Sequence, residues 1–564
     1  MTDADSSTST TEAAARIAAL ESALAEVRRE RDELRAAYDR LWLEVELMRR
    51  RMFIAKAERV DTTQLELEFK DKLAELDKLA GTIGIATSTD GENGGSHSRP
   101  KGRRKLRQLK IPEEVVEIPD PEFEALVAKG TAERLGAFEE SSRLVWQRGG
   151  PRRLVLSRVK YRMPDAKKES PETTRIVTAP MPPELFPRSI ATPSLAAHIA
   201  ADKYCDGLPL HRQEDRFARL GVPIDRGTMC RWMEHAGATC GATVVEAMRR
   251  DALANAFCIS TDATGVLVQP LRDTQKRQPC RRGHYFVQIA DRDHVFFEYM
   301  PKETSAAVGE MFKGFSGYVQ ADAKSVYDIL FRPPPDDDSA DLAERTEVGC
   351  LSHARTKLWE AAIAKSAVAR EGLARLRRIF QLERKWKDLP PVDKKRMRQA
   401  HARPHLEAFF AWAEAEFARV KDQRGLLRTA LGYCVRQQSA LMRYLDDGRL
   451  EPTNNSSERQ LRRIAVGRSA WLFVGSDDHA HSAGHLFSLV ASARLHKLDP
   501  ELYLRDIFRV LPHWPRDRYL ELAPKFWSDT RVRLNPAELA AELGPLIVPP
   551  KIDAPTEEHP PSQS

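Results

Sequence analysis

A seven-residue repeat of apolar positions runs through the first part of the chain. The two seams of the repeat consist of Ile17, Leu24, Arg31, Tyr38, Val45 and Met52, and of Leu20, Val27, Leu34, Leu41 and Met48. A seam that persists for about five heptads is typical of a coiled coil, in which one polar position such as Arg31 fixes the register. A lone amphipathic helix packed on the body is the alternative. We predict a disordered tail at 1–11 and a coiled-coil dimerisation arm over residues 12–80.

Residues 81–110 lose the repeat and end in a basic cluster that contains Arg103, Arg104 and Lys105. Such a cluster can hold DNA phosphates, but an ordinary solvated linker has the same composition. Short β-like runs follow, for example at 153–161. They predict a small β-rich domain over residues 111–190.

The pattern becomes helical over residues 191–250 and breaks at a tight turn, 220–223. A second helix after this turn would expose Arg226, Thr228 and Arg231. Two short helices joined in this way resemble a helix-turn-helix, whose second helix reads base edges in the major groove of DNA. A packed helical pair without DNA contact is the alternative.

Two strand-like runs, 256–269 and 317–327, each contain an aspartate, Asp262 and Asp322. A charge within a buried strand is costly unless it has a partner. Between the two runs the pattern predicts two further strands and then a helix at about 304–312. Strand, strand, strand, helix, strand is the order of a ribonuclease-H-like domain, which would carry one aspartate on its first strand and one on its fourth.

A third acid, Glu458, lies in the first turn of a helix that we predict to begin at about Asn455. This helix also carries four arginines that can hold DNA phosphates: Arg459, Arg462, Arg463 and Arg468. The same segment fits a capping box, Asn455-x-x-Glu458, in which the glutamate only bonds back to the helix start. The local pattern leaves both roles of Glu458 open.

The interval between Asp322 and Glu458 is too long for one strand and one helix. Its residues 354–445 read as helix almost throughout, which predicts an all-helical insertion. The remaining boundaries are a catalytic domain at 251–353 and 446–495, C-terminal helices at 496–530, and a tail at 531–564. The predicted fold class is therefore multidomain α+β, with a ribonuclease-H-like α/β catalytic domain interrupted by helices.

Composition limits the classes of function. The 564 residues include 89 Lys and Arg against 82 Asp and Glu, and a formal charge of +7 on a chain of this length does not by itself indicate a nucleic-acid partner. Seven cysteines without a CxxC pair argue against a disulfide framework. The sequence has no apolar run of membrane-span length, and its first residues lack the pattern of a signal peptide. We therefore expect a cytoplasmic, nucleoid-associated protein without a membrane partner.

The segments around the three acids are similar to the Asp, Asp and Glu blocks of the insertion sequence 66 family of bacterial transposases. The matching segments are Ser260-Thr-Asp262-Ala-Thr264, Val319-Gln-Ala-Asp322-Ala323, Cys350-Leu-Ser-His353-Ala-Arg355, Thr453-Asn-Asn-Ser-Ser-Glu458-Arg459 and Trp471-Leu-Phe-Val-Gly475. The similarity keeps its order from about residue 40 to Trp527. It implies that Asp262, Asp322 and Glu458 are catalytic and bind two Mg²⁺ ions, for which Mn²⁺ can substitute.

The resemblance also implies partners. These are double-stranded DNA at the element ends and at the target, further copies of the chain in a homo-oligomer that is at least a dimer, and accessory proteins of the same element. Lys324, His353 and Arg355 would contact DNA near the acids. A catalytically inactive, dimeric DNA-binding protein derived from a transposase is the alternative function.

Two departures from the family pattern limit the resemblance. The family's zinc ribbon needs cysteines, and the chain has none before Cys205, so the β-rich domain would be a degenerate ribbon and no zinc is expected. The pair Cys350 and His353 lacks two further ligands at the spacing of a zinc site, which favours a core role for Cys350. Thr453 stands where the family often has Asp, so no role is assigned to that position.

Overall fold

The computed structural model describes residues 111–147, 150–164, 174–270, 279–331 and 344–551, together with Ala23, Glu26, Arg29 and Glu30. The predicted coiled-coil arm, apart from those four residues, and the basic cluster at Arg103, Arg104 and Lys105 lie outside this description. The described ranges form two compact units, one of residues 111–350 and 452–551 and one of residues 351–451. None of the described helices has both the length and the apolar composition to cross a bilayer. The predicted mixed α+β character is confirmed.

A small sheet with one helix begins the described chain. Its elements are β1 (Glu113–Ile118), α1 (Pro121–Ala128), β2 (Glu133–Gln147), β3 (Gly150–Pro164) and β4 (Thr174–Thr178). Strands β2 and β3 form a long antiparallel hairpin, and the other edge of β3 pairs with β1 in parallel and with β4 in antiparallel orientation. The ring of Phe123 on α1 stacks on Tyr161 of β3, with 5.2 Å between centroids. Aromatic packing of this kind attaches the helix to a sheet that contains no cysteine.

Four helices follow the small sheet. They are α2 (Pro193–Ala200), α3 (Leu210–Arg219), α4 (Arg226–Ala236) and α5 (Ala242–Asn255). Between α3 and α4 the chain turns at Gly221, whose φ of 77° suits glycine, and Val222 and Ile224 enter the core directly after it. The turn between these two helices is therefore both tight and anchored.

The central sheet has five strands. Its elements in chain order are β5 (Cys258–Val268), β6 (Arg281–Ala290), β7 (His294–Met300), α6 (Ser305–Met311), β8 (Gly317–Gln320) and β9 (Arg345–Val348). The spatial order is β7-β6-β5-β8-β9, in which β5, β8 and β9 run parallel and β6 runs antiparallel to both of its neighbours. Strand, strand, strand, helix, strand is the order that the sequence predicted.

The second unit is entirely helical. Its helices are α7 (Leu351–Ile363), α8 (Ala367–Lys385), α9 (Pro391–Met397), α10 (Arg403–Val420), α11 (Leu426–Arg436) and α12 (Gln438–Met442). The buried Arg398 pairs with Glu383 at 2.8 Å and donates to the carbonyl oxygens of Tyr444, Asp447 and Leu450. The Arg398 guanidinium thus connects α8, which carries Glu383, to the last residues of the unit.

Five α-helices follow between residues 452 and 551, the last part of the chain that the structure describes. They are α13 (Asn455–Trp471), α14 (Asp477–Leu495), α15 (Pro500–Val510), α16 (Pro524–Arg531) and α17 (Pro536–Ala540). The prediction of a tail from 531 onward is wrong as far as residue 551. The Arg509 guanidinium donates to backbone carbonyls at Glu538, Ala541, Gly544 and Pro545, so this segment packs on α15.

Helix α14 closes the free edge of the central sheet. The hydroxyls of Ser488 and Ser492 accept hydrogen bonds from the backbone N–H groups of Phe297 and Val295 on β7, at 2.8 and 2.9 Å. Gly484 lets the helix approach closely, because a Cβ at this position would lie 2.5 Å from the Phe297 carbonyl oxygen. An edge strand whose donors are satisfied in this way is protected from pairing with another chain.

Candidate active site

Asp262 and Asp322 come together through the register of two parallel strands. Ser260 on β5 lies opposite Gln320 on β8, and each aspartate follows its partner by two residues. Residues two positions apart face the same side of a sheet, and neighbouring strands are about 4.8 Å apart. The two carboxylates are therefore neighbours on one face, with Asp322 just beyond the end of β8.

A buried tyrosine reports on the same cluster. Tyr327 lies in the 3₁₀ turn Ser325–Leu330 that follows β8 and is 1% exposed. Burial raises the pKa of its hydroxyl far above the usual range. The negative charges of Asp322, Asp262 and Glu303 raise that pKa further.

Glu458 is brought to this sheet by the start of α13. The side chain of the fully buried Asn454 donates through Nδ2 to the carbonyl oxygen of Thr261 at 2.6 Å. The backbone N–H of Asn454 donates to Sγ of Cys350, just beyond the end of β9, at 3.2 Å. The residue before the helix is thus fixed directly next to Asp262, and Glu458 lies about one turn further along α13.

The capping-box interpretation of Glu458 does not fit this helix start. Helix α13 begins at Asn455, as predicted, but the N-cap residue is Asn454 and its side chain makes no capping bond. Glu458 is therefore the fourth helical residue, whereas a capping box requires the third. The Glu458 side chain is exposed.

One lysine lies among these acids. Nζ of Lys324 is 3.6 Å from Oδ2 of Asp322 and 3.7 Å from Oε1 of Glu303. Oδ1 of Asp322 is buried and has no hydrogen-bond partner within the described ranges. Carboxylate oxygens are the ligands that Mg²⁺ and Mn²⁺ prefer, so the chemical type of these donors suits the predicted ions. As positioned here, no three His, Cys, Asp or Glu side chains of the described chain stand close enough to hold a metal ion.

The four arginines of α13 differ in their surroundings. Arg459 and Arg462 come after Glu458 in α13, and both are exposed. Arg468 donates to the carbonyl oxygen of Gly265 on β5 at 2.7 Å and so ties the far end of the helix to the same strand. Burial lowers the pKa of Arg463, and the nearby positive charge of Arg494 lowers it further.

Two further predicted DNA contacts, His353 and Arg355, belong to the helical unit. His353 is half-buried and Arg355 is exposed, both in α7. Cys350 is fully buried, in agreement with a core position.

The predicted DNA-reading residues lie on α4. Asp225 caps this helix by accepting from the N–H groups of Gly227 and Thr228. Arg226 and Arg231 are exposed, and Nη2 of Arg231 donates to the hydroxyl of Thr228 at 2.9 Å. The inward side of α4 is filled by the apolar residues Met229, Trp232, Met233 and Ala236. One side of the helix thus packs while the other presents polar donors.

Sequence reasoning missed three residues of this site. Asn454, Tyr327 and Glu303 were not singled out, although the first two lie in segments that it described. The motif around Glu458 could have drawn attention to Asn454. Glu303 follows β7 and gives no local signal, because its approach to Asp322 depends on how the sheet closes.

Comparison with known proteins finds matching families and similar proteins. Residues 188–482 match the Transposase IS66 family, and residues 488–524 match the IS66 C-terminal element. Among similar proteins of Sinorhizobium fredii, the uncharacterized protein y4hP is 26% identical over 375 residues, which cover 63% of this chain and 65% of the relative. The uncharacterized protein y4qI is 25% identical over 358 residues, with 62% and 65% covered. The aligned part is thus less than two thirds of each relative.

The family match covers more than half of the chain and includes α4, the central sheet, the helical unit and the start of α13. All three acids lie within it. This chain therefore belongs to the IS66 family of transposases.

Proposed function

We propose that the chain is a metal-dependent Asp-Asp-Glu transposase that cuts DNA at the ends of an insertion sequence and joins those ends to new DNA. One observation carries this proposal. Asp262 and Asp322 are neighbours on parallel strands, and the bond from Asn454 to Thr261 fixes the helix of Glu458 against the same strand. Membership of the family supports the transposase class.

The three acids would hold two Mg²⁺ ions, with Mn²⁺ as a substitute. Asp262 would be shared, Asp322 would serve one ion and Glu458 the other. Paired divalent ions stabilise the attacking and leaving oxygens of a phosphodiester during displacement. The chain's own contribution would be to present carboxylates from strand β5, from just beyond the end of β8 and from helix α13 to the same ions.

Basic side chains near the acids, and others farther from them, would hold the DNA. Lys324 lies beside Asp322, and Arg459 and Arg462 are exposed on α13 after Glu458, so all three are suited to backbone phosphates. Arg463, Arg468, His353 and Arg355 remain predicted DNA contacts. Base reading would fall to Arg226, Thr228 and Arg231 on α4, because the free surface of a second helix enters the major groove.

Assembly would use regions outside the described residues. The arm at 12–80 would join at least two copies, and Arg103, Arg104 and Lys105 would add contacts to the DNA backbone. Accessory proteins of the same element and a cytoplasmic, nucleoid-associated location complete the proposal.

A cleavage assay tests this function. The substrate is a duplex that carries the DNA flanking the coding sequence, with Mg²⁺, and the variants are Asp262→Asn and, as control, Asp328→Asn. Asp328 is an exposed acid in the turn after β8. Wild type and control should cleave, and Asp262→Asn should bind without cleaving. Specific binding without cleavage by the wild type would instead favour the inactive DNA-binding protein.

A further inference from the structure

We propose that Glu303 is a fourth carboxylate of the cation site, and that it shares with Asp322 the divalent ion whose neighbourhood the Lys324 ammonium now occupies. This inference rests on the proposed function, because the ion is the one that the reaction requires. It assigns a role to a residue outside the three acids.

Glu303 is held in position by its chain neighbours. It lies between the end of β7 at Met300 and the start of α6, where the Thr304 hydroxyl caps the helix by accepting from Ala307. Its side chain is half-buried, and Oε2 lies 3.7 Å from Nε2 of His284 on β6.

The contacts of Lys324 show that Glu303 and Asp322 face a common point. The ammonium nitrogen is within 3.7 Å of one oxygen from each carboxylate. Both distances are longer than a hydrogen bond, so the lysine screens the two charges without satisfying either oxygen. Oε1 of Glu303 and Oδ1 of Asp322 are buried atoms without a hydrogen-bond partner in the described part of the chain.

A buried tyrosine lies in the turn that follows Asp322. Tyr327 is almost completely buried, and its hydroxyl makes no hydrogen bond of ordinary geometry within the described ranges. The negative charges of Asp322, Asp262 and Glu303 raise the pKa of that hydroxyl, in addition to the larger effect of its burial. Buried polar groups without partners are rare in folded proteins, and several around one point indicate that a ligand completes them.

The chemistry of the ligand follows from these groups. Two carboxylates, those of Asp322 and Glu303, lie within 3.7 Å of one ammonium, so this cluster carries excess negative charge in partly buried surroundings. Mg²⁺ and Mn²⁺ take carboxylate oxygens at about 2.0–2.2 Å, which is much closer than the lysine stands. Binding of such an ion would therefore require Lys324 to withdraw, and the exposed lysine could then reach a DNA phosphate.

Calorimetric titration of the full chain with Mn²⁺, in the absence of DNA, tests this proposal. We expect Glu303→Gln to weaken Mn²⁺ binding about tenfold. Lys324→Met should bind Mn²⁺ at least as tightly as the wild type, because it removes a competing cation. Glu310→Gln is the matched control, since this exposed acid on α6 pairs with Lys313 on the protein surface, 3.4 Å away. Melting temperatures without metal would check that each variant is folded.

The results separate this inference from the proposed function. If Glu303 only holds the lysine, Glu303→Gln and Lys324→Met will change Mn²⁺ affinity in the same direction, and the inference is wrong. Unchanged affinity in Glu303→Gln, with binding lost in Asp262→Asn, would likewise overturn the inference and leave the proposed function intact. Absence of Mn²⁺ binding by the wild type would contradict both.

Discussion

Asn454 joins the helix of Glu458 to the strand of Asp262, and its replacement by alanine tests how the site is held together. The substitution removes the Nδ2 donor that lies 2.6 Å from the Thr261 carbonyl oxygen, at a position without solvent access. Loss of a buried hydrogen bond costs about 1–3 kcal/mol in the free energy of unfolding. Deleting the amide adds a small cavity.

The effect on catalysis should exceed the effect on stability. Glu458 lies four residues after Asn454, about 6 Å along the helix axis, so a loosened helix start displaces the carboxylate directly. A displacement of about 1 Å at a catalytic group can cost about 100-fold in rate. We therefore expect Asn454→Ala to lower the Mg²⁺-dependent cleavage rate by about 10- to 100-fold while DNA binding is retained.

Urea unfolding followed by tryptophan fluorescence and single-turnover cleavage measure the two effects. Asn255→Ala is the control, because Asn255 is exposed and makes one side-chain hydrogen bond, to Asp251. Asn454→Asp should be at least as harmful as the alanine variant, since it keeps the volume but replaces the donor with a buried charge. If Asn454→Ala cleaves at the wild-type rate, the contact with Thr261 does not position Glu458 and the reasoning fails.

Two further predictions follow from other parts of the molecule. Arg231→Ala should weaken binding to the cognate end by about 1–3 kcal/mol and relax sequence preference, whereas Arg103→Ala with Arg104→Ala should weaken binding to every duplex and flatten its salt dependence. Gel-shift titrations against cognate and random duplexes check both, and an equal loss on both duplexes for Arg231→Ala would exclude base reading. Arg398→Met should destabilise the helical unit by about 3–5 kcal/mol in urea unfolding, because it leaves Glu383 as a buried, unpaired charge, and an unchanged midpoint would contradict this.

Much of the fold could be predicted because its signals are local. Strand-like apolar runs located β5, which carries Asp262, and β8, which ends just before Asp322, and a run of capping residues located the start of α13 at Asn455. The order of those elements then predicted a ribonuclease-H-like arrangement for the central sheet. Each of these predictions needs only a few neighbouring residues.

The errors and omissions concern long-range contacts or single backbone angles. The helical segment predicted over 354–445 is interrupted near its start, because Lys365 has a φ of 67° and Ser366 caps a new helix. The segment 531–551 was predicted to be a tail, because no sequence pattern reveals that its backbone carbonyls accept hydrogen bonds from Arg509. Glu303 was missed for the same reason, since its neighbours come from other strands.

Single-turnover cleavage by Glu458→Gln tests the central claim most directly. Glutamine keeps the length of the side chain and the helix, so the variant removes only the negative charge. The three-acid site predicts a loss of at least about 100-fold in the Mg²⁺-dependent rate, with unchanged affinity for the element end. A wild-type rate would show that Glu458 is not part of the active site.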